Sequence, residues 1–108
     1  MSKAAFWQRG ETIDYKNNTA KTIEANTVMT FGKRVAVAGM TIAPGETGSL
    51  HVTGVYRFEK AEGEITAGEE VYLTEEGKIS ATASEVKAGF AAEAAAAADT
   101  SVLVKINA

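Results

Sequence analysis

The sequence contains no cysteine and only one histidine, His51. Without cysteine neither a disulfide nor a thiolate site can form, and a single histidine cannot assemble an ordinary zinc site. A chain of 108 residues can bury a core without such cross-links, which suits a protein made in a reducing cytosol. Residues 1–10 lack the apolar stretch of a signal peptide, and no window approaches the roughly 18 apolar residues of a membrane span. We therefore expect no membrane partner.

Positive charge is also scarce, because the formal net charge is −3 and the pI is near 5.2. A nucleic-acid binder relies on clustered Lys and Arg that meet phosphates, so we expect no nucleic-acid partner. The nearest approach to a phosphate-binding loop, Gly32-Lys33, lacks the preceding glycine and is followed by Arg34. No serine stands in a nucleophile motif, and the carboxylate doublets Glu69-Glu70 and Glu75-Glu76 lie beside glycine turns. These absences predict no catalytic residue, no metal site and no cofactor.

The apolar residues that are present alternate with a period of two. From Ser49 to Phe58 one face carries Leu50, Val52, Tyr56 and Phe58, which predicts one half-buried antiparallel strand with His51 pointing away from the core. The C-terminal segment alternates in the same way through Val102, Val104 and Ile106. The shorter strand candidates are Thr12–Tyr15, Thr27–Phe31, Arg34–Ala38, Val71–Thr74, Lys78–Thr82 and Val86–Ala91. This pattern predicts an all-β fold, a small antiparallel barrel or sandwich of about 7–9 short strands.

One local pattern recurs before four of the strands. An apolar residue is followed two positions later by a small residue or proline, and then by a residue that tolerates a positive φ. The residues that this pattern assigns to the turns are Asn26, Pro44, Gly45, Gly68 and, in a weaker fourth copy, Asp99. The copies are unevenly spaced, so we interpret them as one reused turn and not as a repeat architecture.

Two segments do not fit the strand pattern. The alanine-rich segment 90–99 predicts a strand that ends near Ala92, followed by a short helical turn or an irregular connection. Residues 1–10 form a candidate N-terminal arm, and residues 11–108 a single β domain. Phe6 and Trp7, between Lys3 and Arg9, either contact a partner or open the first strand and fill the domain's own core.

Taken together, these segments resemble a known protein family. The resemblance is carried by residues 10–15, by Ile42-Ala43-Pro44-Gly45-Glu46 and the strand after it, by residues 65–72 with 77–79, and by the ending 88–107. The chain is similar to the short cement, or decoration, proteins of tailed-phage heads from about Lys3 to Asn107. Each motif is weak alone, and their order and spacing make the resemblance more specific.

The resemblance implies a structural protein of the virion that has no catalytic residues. Such a protein is made in the host bacterial cytoplasm, binds the outside of the expanded head and stabilises it as an oligomer. The implied partners are the major capsid protein and further copies of the chain, as a trimer rather than a dimer. The aromatic residues themselves, and not the resemblance, make Lys3, Phe6, Trp7 and Arg9 a candidate capsid-contacting arm. Two alternatives remain: a tail or baseplate β module, and a small ligand-binding barrel that uses Trp7, Tyr56 and Tyr72.

Overall fold

The computed structural model describes residues 2–108 and, within them, forms two antiparallel β-sheets and no helix. The nine strands are β1 (Thr12–Lys16), β2 (Val28–Phe31), β3 (Arg34–Ala38), β4 (Thr47–His51), β5 (Val55–Glu59), β6 (Glu70–Leu73), β7 (Ile79–Ser80), β8 (Lys87–Ala91) and β9 (Ser101–Ile106). The first sheet has the order β1-β4-β3-β2 and the second the order β5-β9-β8-β6-β7. The all-β prediction is confirmed, and the sheets remain separate, as in a sandwich, without closing into a barrel.

The two sheets follow the same plan. The pairs β1·β4, β4·β3 and β3·β2 of the first half recur as β5·β9, β9·β8 and β8·β6 in the second. The short strand β7 and its loops are inserted between β6 and β8. This insertion lengthens the interval between the last two turns, which explains the uneven spacing seen in the sequence. Each half therefore folds as the same four-stranded unit.

Within each half, two of the recurring turns lie back to back. The backbones of Ile23 and Ile42 exchange hydrogen bonds of 2.8 and 2.9 Å, and those of Ile65 and Ala95 do the same at 2.8 and 2.9 Å. The paired segments bury Ile42, Ile65 and Ala95 almost completely. The four copies of the pattern thus connect β1 to β2, β3 to β4, β5 to β6 and β8 to β9, and they cover part of the core.

The turn residues occupy nearly the predicted positions. Asn26, Gly45 and Gly68 have φ values of 69°, 82° and 82°, the left-handed conformation that Asn and Gly adopt at least cost. Asp99 instead lies one position after the predicted one. Its carboxylate accepts a hydrogen bond of 2.8 Å from the backbone N–H of Ala96. Glu69 accepts the equivalent bond from Thr66, at 3.0 Å, so Asp99 closes the turn from the position that an acid occupies in other copies.

We expect Glu69→Ala to lower the free energy of unfolding by about 0.5–1.5 kcal/mol, because the Thr66 N–H and hydroxyl lose their acceptor in a partly exposed turn. Urea titration followed by circular dichroism measures the change. Glu64→Ala is the matched control, since Glu64 is an exposed glutamate of the same loop. Equal stabilities for the two variants would show that the carboxylate does not support the turn.

The predicted strand Ser49–Phe58 is wrong. The segment forms β4 and β5, which belong to different sheets, and Gly54 between them has a φ of 114° that interrupts the extended backbone. The alternation continues across this break because Leu50 and Phe58 each point into the core of their own sheet. A period of two reports the face of a residue and not the sheet to which it belongs.

Strand β3 joins the two halves of the core. Val35 and Val37 pack with apolar residues of the second sheet, whereas Ala36 and Ala38 pack on the other face with Leu50. A strand buried on both faces has a continuous apolar run and not an alternating one. The alanine-rich segment takes the irregular form, because Ala95 pairs with Ile65 where a helical turn was the alternative.

Candidate functional site

The N-terminal segment leaves the domain. Residues 2–10, which we call the arm, have no regular hydrogen-bonded structure apart from a bend at Gly10, and every one of them is exposed. Phe6 is 86% exposed and Trp7 is 90% exposed. Neither aromatic ring therefore fills the core of its own chain, which was the second interpretation of these residues. Lys3 and Arg9 are exposed on the same segment.

Two neighbouring aromatic side chains of this arm lie in water. Full burial of a large apolar side chain is worth about 1.5–3 kcal/mol, and this chain leaves that free energy unused at Phe6 and Trp7. Exposed aromatics of this kind are enriched at the centres of protein–protein interfaces. The arm is thus a candidate contact segment.

A groove of the described chain lies between the edge of the first sheet and the β6–β8 region of the second. Its volume is about 680 Å³. The lining residues are Val28, Met29, Thr30, Leu73, Thr74, Glu75, Gly77, Ser84, Glu85 and Val86. Its floor is apolar, its two charged residues are both glutamates, and no lysine or arginine lines it. We call this feature the β2 groove.

The wall of the β2 groove is a free strand edge. Strand β2 is the last strand of its sheet, and it joins β3 through a two-residue turn that pairs Phe31 with Arg34. In such a hairpin alternate residues exchange hydrogen bonds, so Met29 and Phe31 bond to β3. The backbone N–H and C=O groups of Val28 and Thr30 then point outward, towards the groove.

Two polar residues are fully or nearly buried, and both serve the fold. Asn17 follows β1 and Lys60 follows β5, so they occupy equivalent places in the two halves. The Asn17 amide donates to the carbonyls of Lys21 and Ile42 at 2.8 and 2.9 Å. The Lys60 ammonium donates to the carbonyls of Ala61 and Ala97 at 3.0 and 3.3 Å. Their bonds are made inside the chain, and sequence reasoning missed Lys60 because a lysine gives no signal of burial.

The titratable groups do not converge on a reactive centre. The ring of His51 is half-buried and lies 6.0 Å, centroid to centroid, from that of Tyr56. Burial raises the pKa of the Tyr56 hydroxyl above its usual value, by desolvating the charged form. Among residues 2–108 no cluster of acidic or histidine side chains could hold a metal ion, and no helix is long and apolar enough to cross a membrane.

The structure does not gather the aromatic residues that a ligand-binding barrel would use. Trp7 lies on the arm, Tyr56 packs against the core, and the Tyr72 hydroxyl donates to Glu70 at 3.4 Å. None of the three lines the β2 groove. The turn residues Asn26, Gly45 and Gly68 shape the loops that connect the strands.

Of three comparisons with known proteins, one identifies a family, and it is the family that the sequence resembles. Neither the curated proteins nor the solved structures returned a match to this chain. A family model described as "phage cement protein" matches residues 7–106, which is nearly the whole chain and includes Trp7 and Arg9 of the arm. The two-sheet domain with its exposed arm therefore belongs to the phage cement protein family, whose members are structural proteins of the phage particle.

Proposed function

We propose that this protein binds the outer surface of the expanded phage head, next to the major capsid protein, and stabilises the shell as a homo-oligomer, a trimer rather than a dimer. In this role the protein is a structural component and performs no catalysis. The observation that carries the proposal is the arm, because a segment with exposed Phe6 and Trp7 is built to make contacts outside its own chain. Family membership supplies the phage capsid as the place of those contacts.

The shape of the chain supports binding to a surface. Its principal extents are 42 × 41 × 20 Å, so the molecule is a flat body. Its accessible surface is 7212 Å², whereas a compact monomer of its mass exposes about 5,700 Å². This surface includes the exposed arm and is available to partners. Several weak contacts of one oligomer add up on a shell, because each bound copy raises the effective concentration of the next.

Preference for the expanded head follows if the contact sites reach the right spacing only after expansion. Binding to one state then stabilises that state by mass action. The test is co-sedimentation of the purified protein with expanded and unexpanded shells of its capsid protein. We expect saturable binding to expanded shells alone, at a stoichiometry that gives the oligomer. Binding to neither shell would overturn the proposal and favour a tail or baseplate module.

We propose further that Lys3, Phe6, Trp7 and Arg9 form the contact arm on the capsid lattice, where coat protein and neighbouring copies are both within reach. Deletion of residues 2–10 should leave the circular dichroism spectrum nearly unchanged and abolish binding to shells. The double variant Phe6→Ser/Trp7→Ser should weaken binding at least tenfold, since aromatic anchors are each worth about 2 kcal/mol or more.

The matched control is Ala4→Ser/Ala5→Ser, which makes two substitutions in the same arm and should bind like the wild type. Unfolding of the deleted protein would contradict the arm proposal, because it would place Phe6 and Trp7 in the core. Full binding by Phe6→Ser/Trp7→Ser would contradict it as well.

A further inference from the structure

The four sheet edges of this fold are not equally protected. Native proteins keep free edges from pairing by charged side chains, by proline or by very short strands. Strand β1 carries Asp14 and Lys16, strand β5 carries Arg57 and Glu59, and strand β7 has two residues. Strand β2, whose sequence is Val-Met-Thr-Phe, has none of these protections. It is the edge that needs a covering segment.

The β2 groove selects the chemistry of that segment. An extended chain that pairs with Val28 and Thr30 would place alternate side chains on the apolar floor near Leu73 and Val86. Its flanks would pass Glu75 and Glu85, so positive charge beside the apolar residues would be favoured. The groove therefore fits an extended, basic segment that contains large apolar side chains.

The arm of this protein has that chemistry. It has no regular secondary structure of its own, it has Phe6 and Trp7 at its centre, and Lys3 and Arg9 lie on either side of them. No acidic residue precedes Glu11. The two basic residues of the arm match the two glutamates of the groove in number and opposite sign.

The arm does not enter the groove of its own chain. Thr12, where β1 begins, lies in one row across the sheet with His51, Val37 and Val28. Three strand spacings, about 14 Å, separate the base of the arm from β2. The aromatic residues of the arm remain exposed and do not cross that distance in the single chain.

We propose that the arm of one copy adds as a strand to β2 of a second copy, with Phe6 or Trp7 in the β2 groove and Lys3 and Arg9 beside Glu75 and Glu85. This inference rests on the proposed homo-oligomer and deepens it by assigning the two surfaces that meet. The unprotected edge, the groove and the exposed aromatics then cover one another. The contact joins different surfaces, so it closes either by reciprocal exchange or as a ring.

The absence of native cysteine allows a direct test, because engineered cysteines are the only thiols in the chain. Thr30→Cys is placed on the groove wall, and Ala5→Cys or Gln8→Cys is placed on the arm. Each single-cysteine arm variant is mixed with Thr30→Cys, in solution and on expanded shells, and then oxidised mildly. We expect a disulfide-linked heterodimer on non-reducing gels for at least one arm position. Thr100→Cys, exposed and outside the groove, is the matched control and should give at least tenfold less.

The outcomes separate this inference from the proposed function. If the wild type is oligomeric by light scattering or on shells but no arm cysteine links to Thr30→Cys, the arm inference is overturned and the oligomer stands. If a chain that carries both cysteines closes only on itself, the arm folds into its own groove and the inference is overturned. A wild type that is monomeric both in solution and on shells would overturn the proposed homo-oligomer itself.

A charge exchange provides a second readout. Glu75→Lys/Glu85→Lys should reduce cross-linking and assembly several-fold, because like charges would then face Lys3 and Arg9. Adding Lys3→Glu/Arg9→Glu to the same chain should restore both. Unchanged cross-linking in the groove variant, or no recovery in the combined variant, would contradict the assigned charge pairing.

Discussion

Gly89→Ala should destabilise the fold strongly. A Cβ atom at this position would overlap the carbonyl oxygen of Lys105 and lie 3.2 Å from the backbone nitrogen of Asn107. Both are backbone atoms of the neighbouring chain segment, so neither can turn away as a side chain could. Gly89 also has a φ of 144°, a conformation that alanine rarely adopts.

These two costs add to a large fraction of the stability of a small domain. The backbone conformation alone costs about 1–3 kcal/mol, and separating β8 from β9 costs more. We expect a total above about 4 kcal/mol, against a typical total stability of about 5–15 kcal/mol. Thermal melting followed by circular dichroism measures the change, and a loss of this size lowers the melting temperature by more than about 15 °C.

Two control variants separate the steric cost from the conformational one. Gly63 has a φ of 110° and no heavy atom within 4 Å of an added Cβ, so Gly63→Ala should cost only the conformational part. Gly10→Ala has open space and no positive φ, and it should be nearly neutral. If Gly89→Ala melts within a few degrees of Gly63→Ala, the close packing of β8 on β9 is not a requirement of the fold.

The same position shows what the sequence could and could not predict. The apolar pattern predicted a strand at Val86–Ala91, and β8 is there. It did not predict that Gly89 faces a backbone, because that contact is made by Lys105, far along the chain. Local periodicity identifies strands, and close approach between strands depends on the register of pairs that lie far apart in sequence.

The recurring turns were predictable because their chemistry is local. Asn26, Gly45 and Gly68 tolerate a positive φ, and that tolerance depends only on the residue type. The fourth turn was placed one residue too late because Asp99 can act either as a turn residue or as a side-chain acceptor. The duplication of the four-stranded unit was not predicted, because it is visible in the strand pairing and not in the spacing.

The candidate site also has one part that the sequence indicated and one part that it could not. Phe6 and Trp7 were candidate anchors in the sequence, but an alternating pattern could not decide between core and surface. The β2 groove was not predictable at all, because Val28, Leu73 and Val86 come from three separate segments. The lack of charged residues on β2 is visible in the sequence. It indicates an unprotected edge only when the structure shows that β2 is the last strand of its sheet.

Asn107→Ala should also destabilise the fold strongly. The chain leaves the first sheet after β4, and the backbone of Val35 on β3 then lacks a strand partner at that point. The Asn107 side chain replaces it: its Nδ2 donates to the carbonyls of Val35 and Val52, both at 2.8 Å. Its Oδ1 accepts from the Val35 N–H at 3.3 Å. The side-chain amide thus makes the hydrogen bonds that a neighbouring strand would make, and it links the two sheets.

Removing this amide leaves three part-buried backbone groups without partners, and each loss costs about 1 kcal/mol or more. Asn107 also has a φ of 56°, which asparagine tolerates and alanine does not. We expect Asn107→Ala to lower the free energy of unfolding by about 3–4 kcal/mol, measured by urea titration. Asn107→Gly removes the amide and relieves the backbone, so it should recover about 1 kcal/mol of that loss.

Asn107→Asp distinguishes the donors from the acceptor. The aspartate keeps an oxygen for the Val35 N–H but places a second oxygen against the carbonyls of Val35 and Val52, where Nδ2 donated. We expect it to be at least as unstable as Asn107→Gly, since two carbonyl oxygens would face a carboxylate. If Asn107→Asp were as stable as the wild type, the amide would contribute nothing to stability. The link between the two halves would then lie in the packing of Val35 and Val37 alone.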